Sequence, residues 1–383
     1  KGETVYSLRA IPLGGFVKME GEEEASDDER AFNKKPLLTR AAVIAAGPVM
    51  NFLVAVVTLT IIVAFTGYNT NIVGRVLPDS PAFQAGLKEG DKIIKYGGKR
   101  VYHPADMSLF LYGTKGEPVE LEVLRNGNVE KLMLYPEKIE KDRYLLGFTP
   151  KAEYGSGSNE VAGNSYAESQ FDNGFRPGDK IIRLNSTEVS SGKDIREFMK
   201  INKDKPIKVT ILRDGKEQVL TVTPIPTKSE EQYGIGIGFK SGAGGVLPTI
   251  KHSFIQACSI ARNVYYSLIW LITGRVSLSQ MSGPVGIVST IGDVVQQSPT
   301  IMDKIINLLS MLSFIGINLG IFNLIPFPAL DGSKILLIAI EGIRKKAIPP
   351  EKEAFISFIG FVLLILLAIF TTYNDIFRQV TGG

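Results

Sequence analysis

Cysteine and histidine are almost missing from this sequence. One cysteine, Cys258, in 383 residues excludes an intramolecular disulfide framework and a cysteine-based zinc knuckle. The two histidines, His103 and His252, stand 149 positions apart, and no HExxH is present. No local histidine pair is therefore spaced to hold a metal. An excess of charge of one sign is missing too. Lys and Arg number 43 against 39 Asp and Glu, a net charge of +4. That balance argues against a nucleic-acid partner, which calls for a basic stripe. Hydrophobic residues make up 44% of the chain, too many for a disordered protein.

Charge is also absent from three long stretches: residues 41–74, 305–330 and 354–374. At ~1.5 Å per residue, runs of this kind cross a ~30 Å hydrocarbon core. Soluble helices rarely run so long without a charge. Transmembrane helices are expected at 41–66, 305–340 and 354–374, with the lipid bilayer as a partner. Residues 247–273 are apolar but carry Lys251, His252 and Arg262 beside Tyr265, Tyr266 and Trp270. Aromatics next to charges favour an interfacial amphipathic helix, followed by a loop, over 247–300. Arg30, Lys34, Lys35 and Arg40 precede the first run, and Arg344, Lys345, Lys346 and Lys352 separate the last two. By the positive-inside rule, residues 1–40 and the loop 341–353 are cytoplasmic, and the region from 70 to about 300 is extracytoplasmic. The chain opens Lys1-Gly-Glu-Thr, with no Met and no signal peptide, and reads as the middle of a protein.

The long region between the first two runs contains a repeat. Gly86-Leu-Lys-Glu-Gly-Asp-Lys-Ile-Ile-Lys95 aligns with Gly174-Phe-Arg-Pro-Gly-Asp-Lys-Ile-Ile-Arg183. The same offset of 88 matches Asp106 with Asp194, Phe110 with Phe198, and Arg125-Asn-Gly with Arg213-Asp-Gly. One ungapped offset over this length marks a duplicated domain. Each copy predicts a short strand, a helix, and two strands around an Asn-Gly or Asp-Gly hairpin.

Ser80-Pro-Ala82, Ala85-Gly-Leu87 and Gly90-Asp91 resemble the PDZ domain of bacterial membrane and periplasmic proteases. The second copy has Ser165-Tyr-Ala167 instead, behind an insertion-like lead-in at 153–165. The resemblance implies PDZ domains at 71–138 and 143–226, binding peptide or protein C-termini by strand addition. The expected amides lie around Val73 to Val76. In the alternative reading, the repeats only block access sterically.

Chemistry is carried by Asn323-Leu-Ile-Pro-Phe-Pro-Ala-Leu-Asp331-Gly332. An Asp closing an apolar run needs a partner, and Pro326 and Pro328 break the helix before it. One reading is a functional intramembrane carboxylate. The other is an interfacial Asp paired with Lys334. An aspartyl mechanism needs two membrane carboxylates, and the spans as bounded here offer only Asp331.

Asn-x-x-Pro-x-x-x-Leu-Asp-Gly resembles the signature of the site-2 protease family of intramembrane zinc metalloproteases, in its bacterial RseP/RasP branch. Three further segments resemble that branch in the expected order. Residues 6–19, including Pro12-Leu13-Gly14-Gly15-Phe16-Val17, resemble a membrane-re-entrant β-hairpin. Gly47-Pro48-Val-Met-Asn51 and Ser282-Gly-Pro-Val-Gly-Ile287 resemble helix motifs. The resemblance implies a polytopic α-helical membrane protein with two tandem extracytoplasmic PDZ (α+β) domains, in a bacterial plasma membrane. It implies regulated intramembrane proteolysis of single-pass membrane proteins, such as anti-sigma factors or remnant signal peptides, with the PDZ domains gating access. Asp331 becomes the third ligand of a catalytic Zn2+, and Asn323 contacts the substrate or the tetrahedral intermediate. Residues 12–17 bind the substrate as an added strand, or merely plug the site. Gly47, Pro48 and Asn51 support helix packing. The family's HExxH helix is expected upstream of Lys1, so the chain is expected to be an N-terminally truncated fragment, inactive as it stands. The alternative is a non-catalytic, membrane-anchored tandem-PDZ adaptor.

Overall fold

The computed structural model describes residues 17, 19–22, 26–139, 143–150, 158–164, 174–203, 205–227, 232–278, 281–298, 300–346 and 348–381. The chain forms two compact units: a helical one (1–55, 267–288 and 313–383) and a β-rich one (56–266 and 289–312).

Helix α1 (Leu37–Thr66) leads into the β-rich unit. The first repeat holds β1 (Tyr68–Val76), α2 (Pro81–Gln84), β2 (Lys92–Tyr96), β3 (Lys99–Arg100), α3 (Pro104–Thr114), β4 (Val119–Arg125) and β5 (Asn128–Leu134). After β6 (Glu137–Ile139), β7 (Arg143–Leu145) and β8 (Phe148–Pro150), the second repeat runs through β9 (Val161–Asn164), β10 (Lys180–Leu184) and β11 (Thr187–Glu188). It continues with α4 (Gly192–Asn202), β12 (Ile207–Arg213) and β13 (Lys216–Val222). The chain then forms β14 (Ile225–Thr227), β15 (Gln232–Gly234), β16 (Ile237–Gly242) and α5 (Val246–Ile272).

Alternating patterns make these strands. Val119, Leu121 and Val123 are buried, as are Ile207, Val209 and Ile211, so each strand presents one apolar face. Asn126-Gly127 and Asp214-Gly215 take positive φ at both positions, the backbone that a tight two-residue hairpin requires. The offset of 88 also holds in the registers. Ile93 opposes Val123 as Ile181 opposes Ile211, with a bulge just after each.

The offset reaches further back than the sequence match. Asn71 and Asn159 each donate to the strand carbonyl of Ile93 or Ile181 at 2.8 Å. Val73 N–H bonds Asp91 O as Val161 N–H bonds Asp179 O, both at 2.8 Å. The segment 153–165 therefore carries β9 and is not simply an insertion.

The sheet order β16-β1-β2-β4-β5 differs from the expected layout. Strand β16, beyond both expected PDZ ranges, pairs antiparallel with β1, setting Val73 opposite Phe239 and Val76 opposite Ile237. Val73 to Val76 thus lie in an interior strand, and β16 is the edge. The second repeat is inserted into the first, and its own β9 pairs with the preceding β8.

An arginine clasp recurs in both repeats. Arg125 grips Asp91 through Nε (2.7 Å) and Nη2 (2.6 Å) and also bonds Gly86 O. Arg213 grips Asp179 with both contacts at 2.7 Å and bonds Gly174 O. Burial opposes ionisation of Asp91 and Asp179. The arginine and backbone N–H donors outweigh it and hold both carboxyls below the usual range.

In the helical unit, α6 (Pro284–Gln297) begins where a loop was expected. Helices α7 (Ile301–Leu324), α8 (Asp331–Arg344) and α9 (Pro350–Thr381) follow. Among the described residues, three helices are long and apolar enough to cross a membrane: Leu37–Thr66, Ile301–Leu324 and Glu351–Phe377. The expected span 305–340 is not one helix, because α7 stops at Leu324 and a new helix starts at Asp331. Pro326 and Pro328 supply no N–H donors, and Ala329 turns the chain at φ 74°.

Candidate functional site

Asp331 is the first residue of α8, where the positive end of the helix dipole favours a carboxylate. The turn into α8 depends on Gly332, since a Cβ there would collide with the carbonyls of Leu324 and Ile325. Helix α9 closes over the loop at Gly360, where a Cβ would strike Pro328. The Asp331 side chain is half-buried and makes no hydrogen bond or ion pair among the described residues. Asn323, in the last turn of α7, is likewise half-buried with no hydrogen bond among the described residues.

The Gly47-Pro48-x-x-Asn51 segment of α1 meets this site. A Cβ on Gly47 would lie 3.9 Å from Asp331 Oδ2. On α7, a Cβ on Gly320 would lie 3.0 Å from Pro48 O, and one on Gly316 would lie 3.4 Å from Asn51 O. Gly316-x-x-x-Gly320 lets the two backbones approach, as small residues four apart do between membrane helices. The sequence reading missed this pair, although its spacing was visible.

Two ion pairs brace α8. Lys334 gives its ammonium to Glu22 at 2.7 Å, so the reading that paired it with Asp331 does not hold. Glu22 belongs to the acidic stretch 20–29, which this pair ties to α8 at one point. Arg40, near the start of α1, binds Glu341 with both contacts near 3 Å. A second missed residue is Asp375, which lies in the α9 span and is 3% exposed. It accepts the Gly286 N–H at 2.7 Å, capping α6. The signal was Gly283 and Gly286, where a Cβ would press on Thr371 or Asp375 at 2.7 to 3.1 Å. Asp375 is thus a buried carboxylate within a span, engaged in holding a helix.

Zinc needs three protein ligands in a catalytic site. The unengaged Asp331 carboxylate suits one of those positions. No group of three or more His, Cys, Asp or Glu able to hold a metal occurs among the described residues. The residues present fill one ligand position and do not by themselves make a zinc site. In the β-rich unit, His103 caps α3 by accepting the Ala105 N–H at 3.2 Å, and His252 stacks on Tyr68 at 4.1 Å.

The model for Peptidase family M50 matches residues 1–367. The chain belongs to peptidase family M50, the site-2 proteases. It is similar to the regulator of sigma-W protease RasP of Bacillus subtilis, 29% identical over 99% of this chain and 87% of the relative. It is 30% identical to the regulator of sigma-E protease RseP of Salmonella typhimurium, over 98% of this chain and 87% of that protein. The zinc metalloprotease RasP of Geobacillus kaustophilus is 29% identical over 98% and 86%. The family and the three apolar helices make this M50 chain a polytopic membrane protein. The hairpin residues Pro12 to Phe16 lie outside the described residues, and Val17 is exposed.

Proposed function

We propose that this chain functions in an intramembrane zinc metalloendopeptidase that cleaves single-pass membrane proteins. The observation that carries the reading is the Asp331 carboxylate, without a hydrogen bond or ion pair among the described residues, at a broken helix against Gly47 in an M50 chain. The names of its relatives, regulators of sigma-W and sigma-E proteases, support anti-sigma factors as one substrate class. Remnant signal peptides are another.

Asp331 would be one protein ligand of the metal in this reading; no group of three or more His, Cys, Asp or Glu able to hold a metal occurs among the described residues, so Asp331 alone does not complete the site. A zinc ion held there would supply Lewis-acid polarisation of a carbonyl and a more acidic bound water. Asn323 orients the substrate backbone, and residues 12–17 hold the unwound substrate as an added strand. The break between α7 and α8 frees backbone groups, and within a membrane such groups are tolerated only against protein or water.

The protein lies in the bacterial plasma membrane with both repeats extracytoplasmic. The repeats act as PDZ domains that filter substrates by size. In the first repeat the peptide-accepting edge is β16, since β1 is already paired on both sides.

The test is Asp331→Asn in the full-length protein. Bound zinc falls and cleavage of a membrane reporter is lost, with the protein still recovered folded. Unchanged zinc content together with unchanged cleavage removes Asp331 from the metal site. A wild-type protein that binds no zinc favours the membrane-anchored adaptor instead. The filter is tested by excising residues 140–231. Ile139 and Gln232 are paired neighbours, so a two-residue turn between them leaves the first repeat's sheet whole. Substrates with long ectodomains then become cleavable; if they stay uncut, the filter fails.

A further inference from the structure

One face of the first repeat already serves as a receptor for a helix. Asp106, in the first turn of α3, is fully buried. Its Oδ2 accepts the Tyr102 and His103 N–H groups at 2.9 and 3.1 Å and Arg262 Nη1 at 3.1 Å. Its Oδ1 accepts the Ser259 hydroxyl at 2.8 Å. Arg262 also donates to Arg100 O at 2.8 Å, and its guanidinium lies over the Tyr102 and Phe110 rings at 5.5 and 5.2 Å. Ser259 and Arg262 stand one turn apart on α5 and reach the face together.

The second repeat has the same face, only partly used. Asp194 stands for Asp106, and its Oδ2 accepts the Ser190 and Ser191 N–H groups, each at 2.9 Å, and the Ser190 hydroxyl at 3.0 Å. Its Oδ1 accepts no hydrogen bond among the described residues. Beside it lies an open cavity of about 390 Å³, lined by Ile182, Arg183, Glu188, Val189 and Ser190. Glu188 and Ser190 are the counterparts of Arg100 and Tyr102, the two residues that Arg262 touches outside α3. Both are exposed. Where the first repeat has an arginine, the second places a carboxylate, so the face is more complementary to a cation than the one already occupied.

We propose that this face of the second repeat docks a helix of a partner protein that carries an arginine one turn after a serine. The arginine bonds Glu188 and Asp194 as a charge-assisted pair, and the small donor fills Asp194 Oδ1. The helix lies across the cavity as α5 lies on the first repeat.

A labelled peptide of residues 250–268 of this chain, carrying the Ser259-x-x-Arg262 pattern, serves as the probe. Fluorescence anisotropy follows its binding to the full-length protein in lipid nanodiscs. Binding is expected to saturate and to weaken at least tenfold when the peptide carries Arg262→Gln. It should also weaken at least tenfold when the protein carries Glu188→Lys or Ser190→Trp. Both protein positions are exposed, and unchanged thermal unfolding checks that the variants fold. Absence of saturable binding overturns the proposal. So does binding that survives both protein substitutions, because the peptide then sits elsewhere. If sedimentation shows dimers that Ser190→Trp dissociates, the face belongs to a second copy of this chain and a separate partner is ruled out.

Discussion

Arg125 in the first repeat and Arg213 in the second make the same clasp on a buried aspartate, with the same reach to a glycine carbonyl 39 residues back. Outside that clasp the repeats diverge. The first takes its outer strand β16 from beyond the second repeat and seats α5 on Asp106. The second takes its outer strand β8 from just before itself and leaves Asp194 half-exposed. At the helix cap, His103 in one copy faces Ser191 in the other. Interactions closed within a repeat survived duplication intact. Those made with the rest of the chain did not, because only one copy adjoins each neighbour.

The largest expected effect leaves the two copies alike. Arg125→Ala and Arg213→Ala each strand a buried carboxylate, at a cost of about 3–5 kcal/mol. Hydrogen exchange on the full-length protein should rise in β2–β4 for the first variant and in β10–β12 for the second. A loss confined to one variant would break the equivalence. Arg262→Ala separates the copies. It removes a charged hydrogen bond from Asp106, worth about 1.5–3 kcal/mol, and should deprotect α3 while leaving α4 unchanged. Equal deprotection of both helices would deny that α5 anchors only the first repeat.

Acid should separate them more gently. Burial lowers the pKa of His103, with Asp106 opposing and His252 adding a small repulsion. A histidine whose folded pKa is depressed contributes stability above its unfolded pKa of ~6.5, and that stability is lost as pH falls below this value. Protonation also removes the nitrogen that accepts the Ala105 N–H, a cap worth about 1 kcal/mol. Between neutral pH and about pH 5, exchange at the start of α3 should quicken while the Ser191-capped α4 holds steady. His103→Ser should abolish the difference. Near pH 4 and below, both copies should weaken together, since Asp91 and Asp179 have lowered pKa values and lose their clasps on protonation.

Much of the helical unit was readable from local chemistry. Charge-free runs marked the three spans, and two prolines marked the break before Asp331. The constant offset of 88 marked the duplication. The braces around the site were not readable. Lys334 finds Glu22 across 312 positions, and Arg40 finds Glu341 across 301. Each is an ordinary charged residue whose partner only folding supplies. Asp375 looked like the polar end of an apolar run, and only the approach of Gly286 reveals it as a cap.

The sequence by itself determined what depends on neighbours along the chain: spans, hairpin turns, helix breaks and the repeat. Their causes are hydrophobic length, backbone propensity and missing N–H donors, which act within a few residues. Tertiary structure alone decided that β16 completes a sheet begun at β1, that α5 covers one copy of a duplicated face, and that Lys334 is held by Glu22, leaving Asp331 without an ion pair among the described residues. Edge pairing and ion pairing go to whichever group the fold brings within reach, and that proximity is not written in any local pattern.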